Sequence, residues 1–310
     1  MHTPFVNDFG SVAWWFEHIT HLGICLIAVP FFFVVSGFFI AGHLDENGWW
    51  QREVGKRVGS LVIPYFVWNV GWCVFLLAVT KVTCGVWCMG PKAIFNAVGL
   101  NPVALPCVGQ LWYVRSLFVL VLISPLICKF LTPRRLLLLL AIYALICPWG
   151  GVMCRLRAFF RIMLSVEGLF YFAVGMYLRR NKIDLNERSY WLSGIVSASL
   201  LVAYLVLIRF DFIIVGQYCR WAALPFLLIF FWRIVPSVAL PRFLVGVAFP
   251  IYLVHRVVLY FLAKLGICTM RGSVFSWIGM IILVFALSAL LSKLIMCSPK
   301  LVRTGLLGGR

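Results

Sequence analysis

From residue 22 to residue 42 the chain carries no charged side chain. A helix needs about 20 mostly apolar residues to cross the hydrocarbon core of a bilayer, so this run is long enough to span one. Eight more apolar runs follow, at roughly 58–80, 110–131, 134–153, 158–178, 190–208, 217–232, 241–263 and 274–296, and most of the charge falls between them. In hydrocarbon every backbone N–H and C=O must find its partner inside the protein, which turns runs of this length into helices. The expected fold is all-α, a polytopic transmembrane helix bundle of nine spans forming a single domain over residues 1–310. Within the first run, the pair Ser36-Gly37 reads as a small-residue break. No internal repeat or low-complexity segment interrupts the pattern.

Charge fixes the expected orientation. The chain holds 27 Lys and Arg against 9 Asp and Glu, for a net charge of +18. A nucleic-acid binder would concentrate such charge in runs of five to eight basic residues, and none exists here. With 64% hydrophobic residues, against about 45–50% in soluble domains, the charge reads instead as the positive-inside bias of membrane loops. With the turn at 52–57 placed in the cytoplasm, alternation sends 16 cations inward, among them Arg52, Lys56, Arg57, Arg179, Arg180 and Lys182. Seven go outward, and Arg115, Arg161, Arg220 and Arg256 stay in or at the edges of spans. The C-terminus is then cytoplasmic and residues 1–20 lie outside, although Met1-His2-Thr3 opens no signal peptide. Most of the 11 cysteines sit inside apolar runs, where they pack as small hydrophobes. Cys84 and Cys88 have a loosely metal-like spacing with no His nearby, so no metal site is expected.

An ionisable group inside a membrane costs about 2.5–3.5 kcal/mol to insert, so each one is a candidate for function. Glu167 is the one carboxylate expected inside a span, and Arg161, six residues earlier, falls on a different face of the same helix. His255 lies about two-thirds of the way outward along its span, beside Arg256; Arg115 lies near the outer end of its own. A packing histidine and a snorkelling arginine explain the last two as well as catalysis does. His2, Glu17, His18 and His21 are all expected on the outer side, where an imidazole suits proton transfer near neutral pH. Trp14, Trp15 and Phe16 fit an interfacial aromatic belt.

Three separated motifs carry a resemblance. PFFFVVSGFFIA followed by KRVGSLVIPYFVW, then GQLWYVRSLFVLVLISPLI, then FLVGVAFPIYLVH together resemble the acyltransferase family 3 proteins in order and spacing. These are bacterial inner-membrane enzymes that move acyl groups, usually acetyl, onto surface glycans. The resemblance implies an O-acyltransferase that takes acyl-CoA (acetyl-CoA) as donor and a glycan or lipid-linked sugar hydroxyl as acceptor, with membrane lipids around it and no nucleic acid. It assigns the base to His2, a place in the site to His255, Arg115 and Glu167, and the donor phosphates to Arg52, Lys56 and Arg57, a task suited to cations.

Two departures stand beside it. The family has ten spans, and MHTPFVNDFG resembles the tail of the first, so the chain is expected to lack most of that helix. Where the family places two arginines three apart, this chain has Arg57 and Ser60. Two other functions therefore remain open, a transporter or flippase of a lipid-linked saccharide and an inactive family member.

Overall fold

The computed structural model describes residues 11–17, 19–20, 24–84, 90–98, 100–101, 107–146, 166–185, 189–237, 246–267 and 274–308. Among these every long regular element is a helix. In chain order they are α1 (Val12–Glu17), α2 (Ala28–Ala41), α3 (Trp49–Arg57), α4 (Ile63–Cys84), α5 (Pro91–Ala97), α6 (Trp112–Leu122), α7 (Ser124–Phe130), α8 (Pro133–Ile146), α9 (Val166–Arg180), α10 (Tyr190–Arg209), α11 (Ile213–Ser237), α12 (Ala248–Lys264), α13 (Val274–Met296) and α14 (Lys300–Leu307). Each of the nine apolar runs thus contains helix. Among the described residues four helices, Trp49–Thr83, Tyr190–Arg209, Ile213–Ile234 and Val274–Met296, are long and apolar enough to cross a membrane, and the bent pair Gly109–Leu122 and Ser124–Phe130 makes a fifth if counted as one, against the nine spans expected.

The outer helices are apolar outside and polar inside. Ile195, Val202, Ile282 and Leu290 point outward, while Ser193, Ser197, Ser288 and Ser292 are buried on the opposite sides of the same helices. That inversion suits lipid, where helices associate through small and hydroxylated residues and not through a hydrophobic drive.

The break expected at Ser36-Gly37 does not form: α2 runs unbroken through both residues to Ala41. Gly37 instead marks where α2 crosses α9. A Cβ on Gly37 would lie 2.1 Å from the Phe172 carbonyl oxygen, and one on Gly175 would lie 2.0 Å from that of Val34. The two helices run parallel, since Phe33 meets Gly168 at one end and Gly42 meets Arg179 at the other. Glycine here permits close backbone approach, not a bend.

Two real irregularities come from prolines. Between α6 and α7 the axis turns by 61°. Pro125 has no N–H to offer the carbonyl four residues back, and the Ser124 hydroxyl donates to that same Val121 oxygen at 2.7 Å instead. Between α3 and α4 a π turn spans Val58–Val62, where Pro64 cannot bond the Ser60 carbonyl. The short amphipathic α14 folds back on this turn. The Trp68 indole N–H donates to Leu306 O at 2.9 Å, Leu307 is fully buried, and Gly308, at φ +70°, packs on the Ser60 backbone.

Candidate active site

Two polar clusters lie at opposite ends of α6. At one end the segment entering α6 is clamped from both sides. Asn69 of α4 is buried; its amide N–H donates to Tyr65 O at 2.9 Å, and its carbonyl oxygen accepts from Val108 N–H at 3.1 Å. From the other side, Gln110 Nε2 donates to Leu253 O at 3.2 Å and the Tyr252 hydroxyl donates to Gln110 O. The Arg256 guanidinium lies over Gly109, where any side chain would collide with it. Tyr113 completes the seam, its ring 5.9 Å from that of Tyr252 and 4.8 Å from that of Phe33 on α2.

His255 sits in this seam, partly buried, its ring 6.0 Å from that of Tyr252. Its Nδ1 lies 3.2 Å from Ile251 O. A carbonyl can only accept, so Nδ1 carries the hydrogen and Nε2 is the basic nitrogen of the neutral ring. Arg115 shares the seam through a different set of neighbours: one guanidinium N–H donates to Asn101 O at 3.0 Å, and the group faces the Tyr65 side chain. His255 and Arg115 are therefore brought to the same end, on α12 and α6, in the seam that also holds Gln110, Tyr113 and Tyr252. Gln110 is 3% exposed, and its Oε1 is buried with no hydrogen-bond partner among the described residues. Such an orphan acceptor costs about 1–3 kcal/mol unless something else donates to it.

Glu167 lies in the first turn of α9, where the helix dipole favours a carboxylate. Its neighbour Gly168 packs under the Phe33 ring, which also touches Trp112, so Glu167 stands at the same end as the seam but outside it. His2, Arg161, His18 and His21 lie outside the described residues.

The basic turn is at the other end of the bundle. The Trp50 indole N–H donates to Leu122 O at 3.1 Å, and Leu122 is 12 residues, about 18 Å of helix, beyond Gln110. The turn's cations are matched by carboxylates. Arg52 pairs with Glu46; Lys56 and Arg57 pair with Glu53 at 2.9 and 3.4 Å. The His43 Nδ1–H donates to Glu46 at 2.7 Å, and chiefly this bond, helped by the charge of Arg52, holds the Glu46 carboxyl below its ordinary value. Beside the turn opens a cavity of about 910 Å³ between α2, α7, α9 and α11.

A family model described as "Acyltransferase domain" matches residues 1–293. The chain belongs to this acyltransferase family. The succinoglycan biosynthesis protein ExoH of Rhizobium meliloti (strain 1021) is 23% identical over a stretch covering 66% of this chain and 54% of that protein. The chain thus spans about half the length of the curated relative it matches. No solved structure matches.

Gln110, Tyr252, Asn69 and Tyr65 are the members of this seam that sequence reasoning missed, because a screen for ionisable groups inside spans passes over neutral ones. The available signal is an amide in an apolar run: Asn69 and Gln110 both stand in or at the start of expected spans.

Proposed function

We propose that this family member is an integral-membrane O-acyltransferase of nine spans in a bacterial inner membrane, with a cytoplasmic C-terminus. It carries an acyl group, acetyl first among the candidates, from acyl-CoA to a hydroxyl of a polysaccharide or lipid-linked glycan. A polysaccharide acceptor is supported by the relative whose name ties it to succinoglycan biosynthesis.

The observation that carries the reading is the seam that holds the His255 ring, its Nδ1–H on Ile251 O, together with the buried Gln110, which is bonded to Leu253 O of the same helix and keeps its Oε1 as an acceptor. In the reaction the sugar oxygen attacks the thioester carbonyl as Nε2 removes its proton. The C–S bond then breaks, CoA leaves as thiolate, and the proton passes from the imidazolium to the sulfur. The products are the O-acyl ester and CoA–SH. Gln110 Oε1 orients the acceptor sugar by accepting from a hydroxyl beside the attacking one, whose own proton points to Nε2. Arg115 holds Tyr65 and the outer connection in place, and Glu167 stands beside the aromatic wall of Phe33 and Trp112. His2, by the resemblance, is a second base. The donor enters at the end carrying the turn at 52–57.

Membranes containing the protein should transfer radiolabelled acetyl from acetyl-CoA to an endogenous glycan. His255→Ala should lower the rate by about 10²–10⁴-fold, the usual worth of a general base. Transfer surviving His2→Ala and His255→Ala together would remove this site. Saccharide movement with no dependence on acyl-CoA would replace the reading with a flippase.

A further inference from the structure

We infer that the phosphate-bearing half of the donor binds in the cavity between α2, α7, α9 and α11, on Arg179, Arg180 and Lys182, and not on the turn at 52–57. The inference rests on the acyltransferase reading above and assigns its donor site.

The two basic groups at this end differ in what already neutralises them. Arg52, Lys56 and Arg57 each have a carboxylate within ion-pair distance. A phosphate arriving there would have to displace Glu46 or the buried Glu53. Arg179, Arg180 and Lys182 make no ion pair among the described residues, and all three line the cavity. Arg179 lies 5.2 Å over the Phe38 ring, which fixes the plane of its guanidinium while its N–H groups remain available. Arg180 is steadied by donating to Cys128 O at 3.0 Å. Two planar forks held by an aromatic face and a carbonyl are organised for the bidentate recognition of phosphate oxygens.

The rest of the lining suits the remainder of such a donor. Phe38, Leu178, Ile183 and Trp232 give an apolar wall for a purine ring, and Asp45 supplies an acceptor for amino or ribose hydroxyl groups. The volume, about 910 Å³, lies near the top of the 300–1,000 Å³ range of small-molecule pockets. Position fits as well. Phe38 lines the cavity and Phe33 touches Tyr113 of the seam. Five residues of α2 separate them, about 8 Å along the axis, and an extended pantetheine arm is longer than that. A donor anchored by its phosphates on Arg179 and Arg180 can therefore carry its thioester toward His255.

The test measures CoA binding to the full chain in phosphatidylcholine nanodiscs. Cys128 lines the cavity as a free thiol, which gives a readout that needs no substitution. Saturating CoA should slow alkylation of Cys128 by N-ethylmaleimide, followed peptide by peptide by mass spectrometry. Arg179→Gln and Arg180→Gln should each weaken CoA binding by about tenfold, the worth of one charge-assisted bond, and leave pantetheine, which has no phosphate, unaffected. Lys300→Gln, an exposed cation at the same end, is the control for general charge. The inference is overturned if Arg52→Gln or Lys56→Gln weakens CoA while the cavity variants do not, or if CoA leaves Cys128 alkylation unchanged. It is also overturned if phosphatidylglycerol in the disc, without CoA, protects Cys128 and CoA adds nothing, since the cavity would then hold a lipid headgroup. A wild-type chain that binds no CoA at all would remove the acyltransferase reading itself, and this inference with it.

Discussion

Gln110 shows how one neutral side chain can report on a site. Its Nε2 and its backbone oxygen are bonded to α12, so the residue is fixed in place, yet Oε1 is buried with no partner among the described residues. Two explanations make opposite forecasts for Gln110→Leu. If the amide only packs, leucine removes one bond to Leu253 O and acyl transfer is unchanged. If Oε1 awaits a substrate hydroxyl, leucine relieves a buried orphan, so the thermal midpoint holds or rises by a few degrees, while kcat/KM for the glycan falls about tenfold or more. The second outcome is expected. A lowered midpoint with unchanged kinetics would return Gln110 to packing. Tyr252 stands beside it as a positioning residue. Tyr252→Phe leaves the Gln110 carbonyl without its donor, and should raise the acceptor KM more than it lowers kcat.

Among the elements, α2 and α9 meet backbone to backbone, and Gly37 and Gly175 are why. Alanine at either position would put a methyl within about 2 Å of a backbone oxygen across the interface, which no rotamer change relieves. Each substitution should cost at least about 1–3 kcal/mol, read as a lowered midpoint in detergent. Because both methyls push the same two backbones apart, the double variant should cost clearly less than the sum; additive losses would mean that the contacts are independent. By contrast, Gly109→Ala meets only the tip of Arg256 and should be mild. This interface also shows where the information in the sequence ends. The helices themselves are legible there, since apolar length dictates them. The role of Gly37 is not, because its partner Phe172 is far off along the chain and a glycine in an apolar run reads equally as a break or a contact. The site divides the same way. His255 and Arg115 stand out by charge, whereas Gln110 gains its meaning only from its bond to Leu253, 143 residues on. The pairing of Glu53 with Lys56 and Arg57 follows the i,i+3 and i,i+4 rule, so local spacing alone contains it.

At the scale of the molecule, charge and geometry sort the chain into the same two ends by independent routes. Alternating spans send Arg52, Lys129, Arg135, Arg179, Lys182 and Lys300 to one side on sequence grounds. In the folded chain the same end is drawn together by contacts that know nothing of that rule. Trp50 reaches the end of α6, Arg180 reaches Cys128, Arg135 donates to Phe130 O at 3.2 Å, and α14 docks on the turn after α3. Leu44 and Asp45 share a cavity with Arg179 and Lys182. From this end α4 runs 22 residues, about 33 Å, to the side that bears Lys81 and Lys92. A bilayer with a hydrocarbon core of about 30 Å fits between, with the cavity and turn on its cationic face and the seam of His255 toward the other. Single cysteines in a cysteine-free background make this measurable. In intact cells a membrane-impermeant maleimide should label Lys92→Cys and leave Lys56→Cys, Lys182→Cys and Lys300→Cys unlabelled until the membrane is opened. Labelling of Lys92→Cys and Lys182→Cys from the same side would break the arrangement at once, because a donor site and a glycan site on one face would leave the bundle nothing to connect.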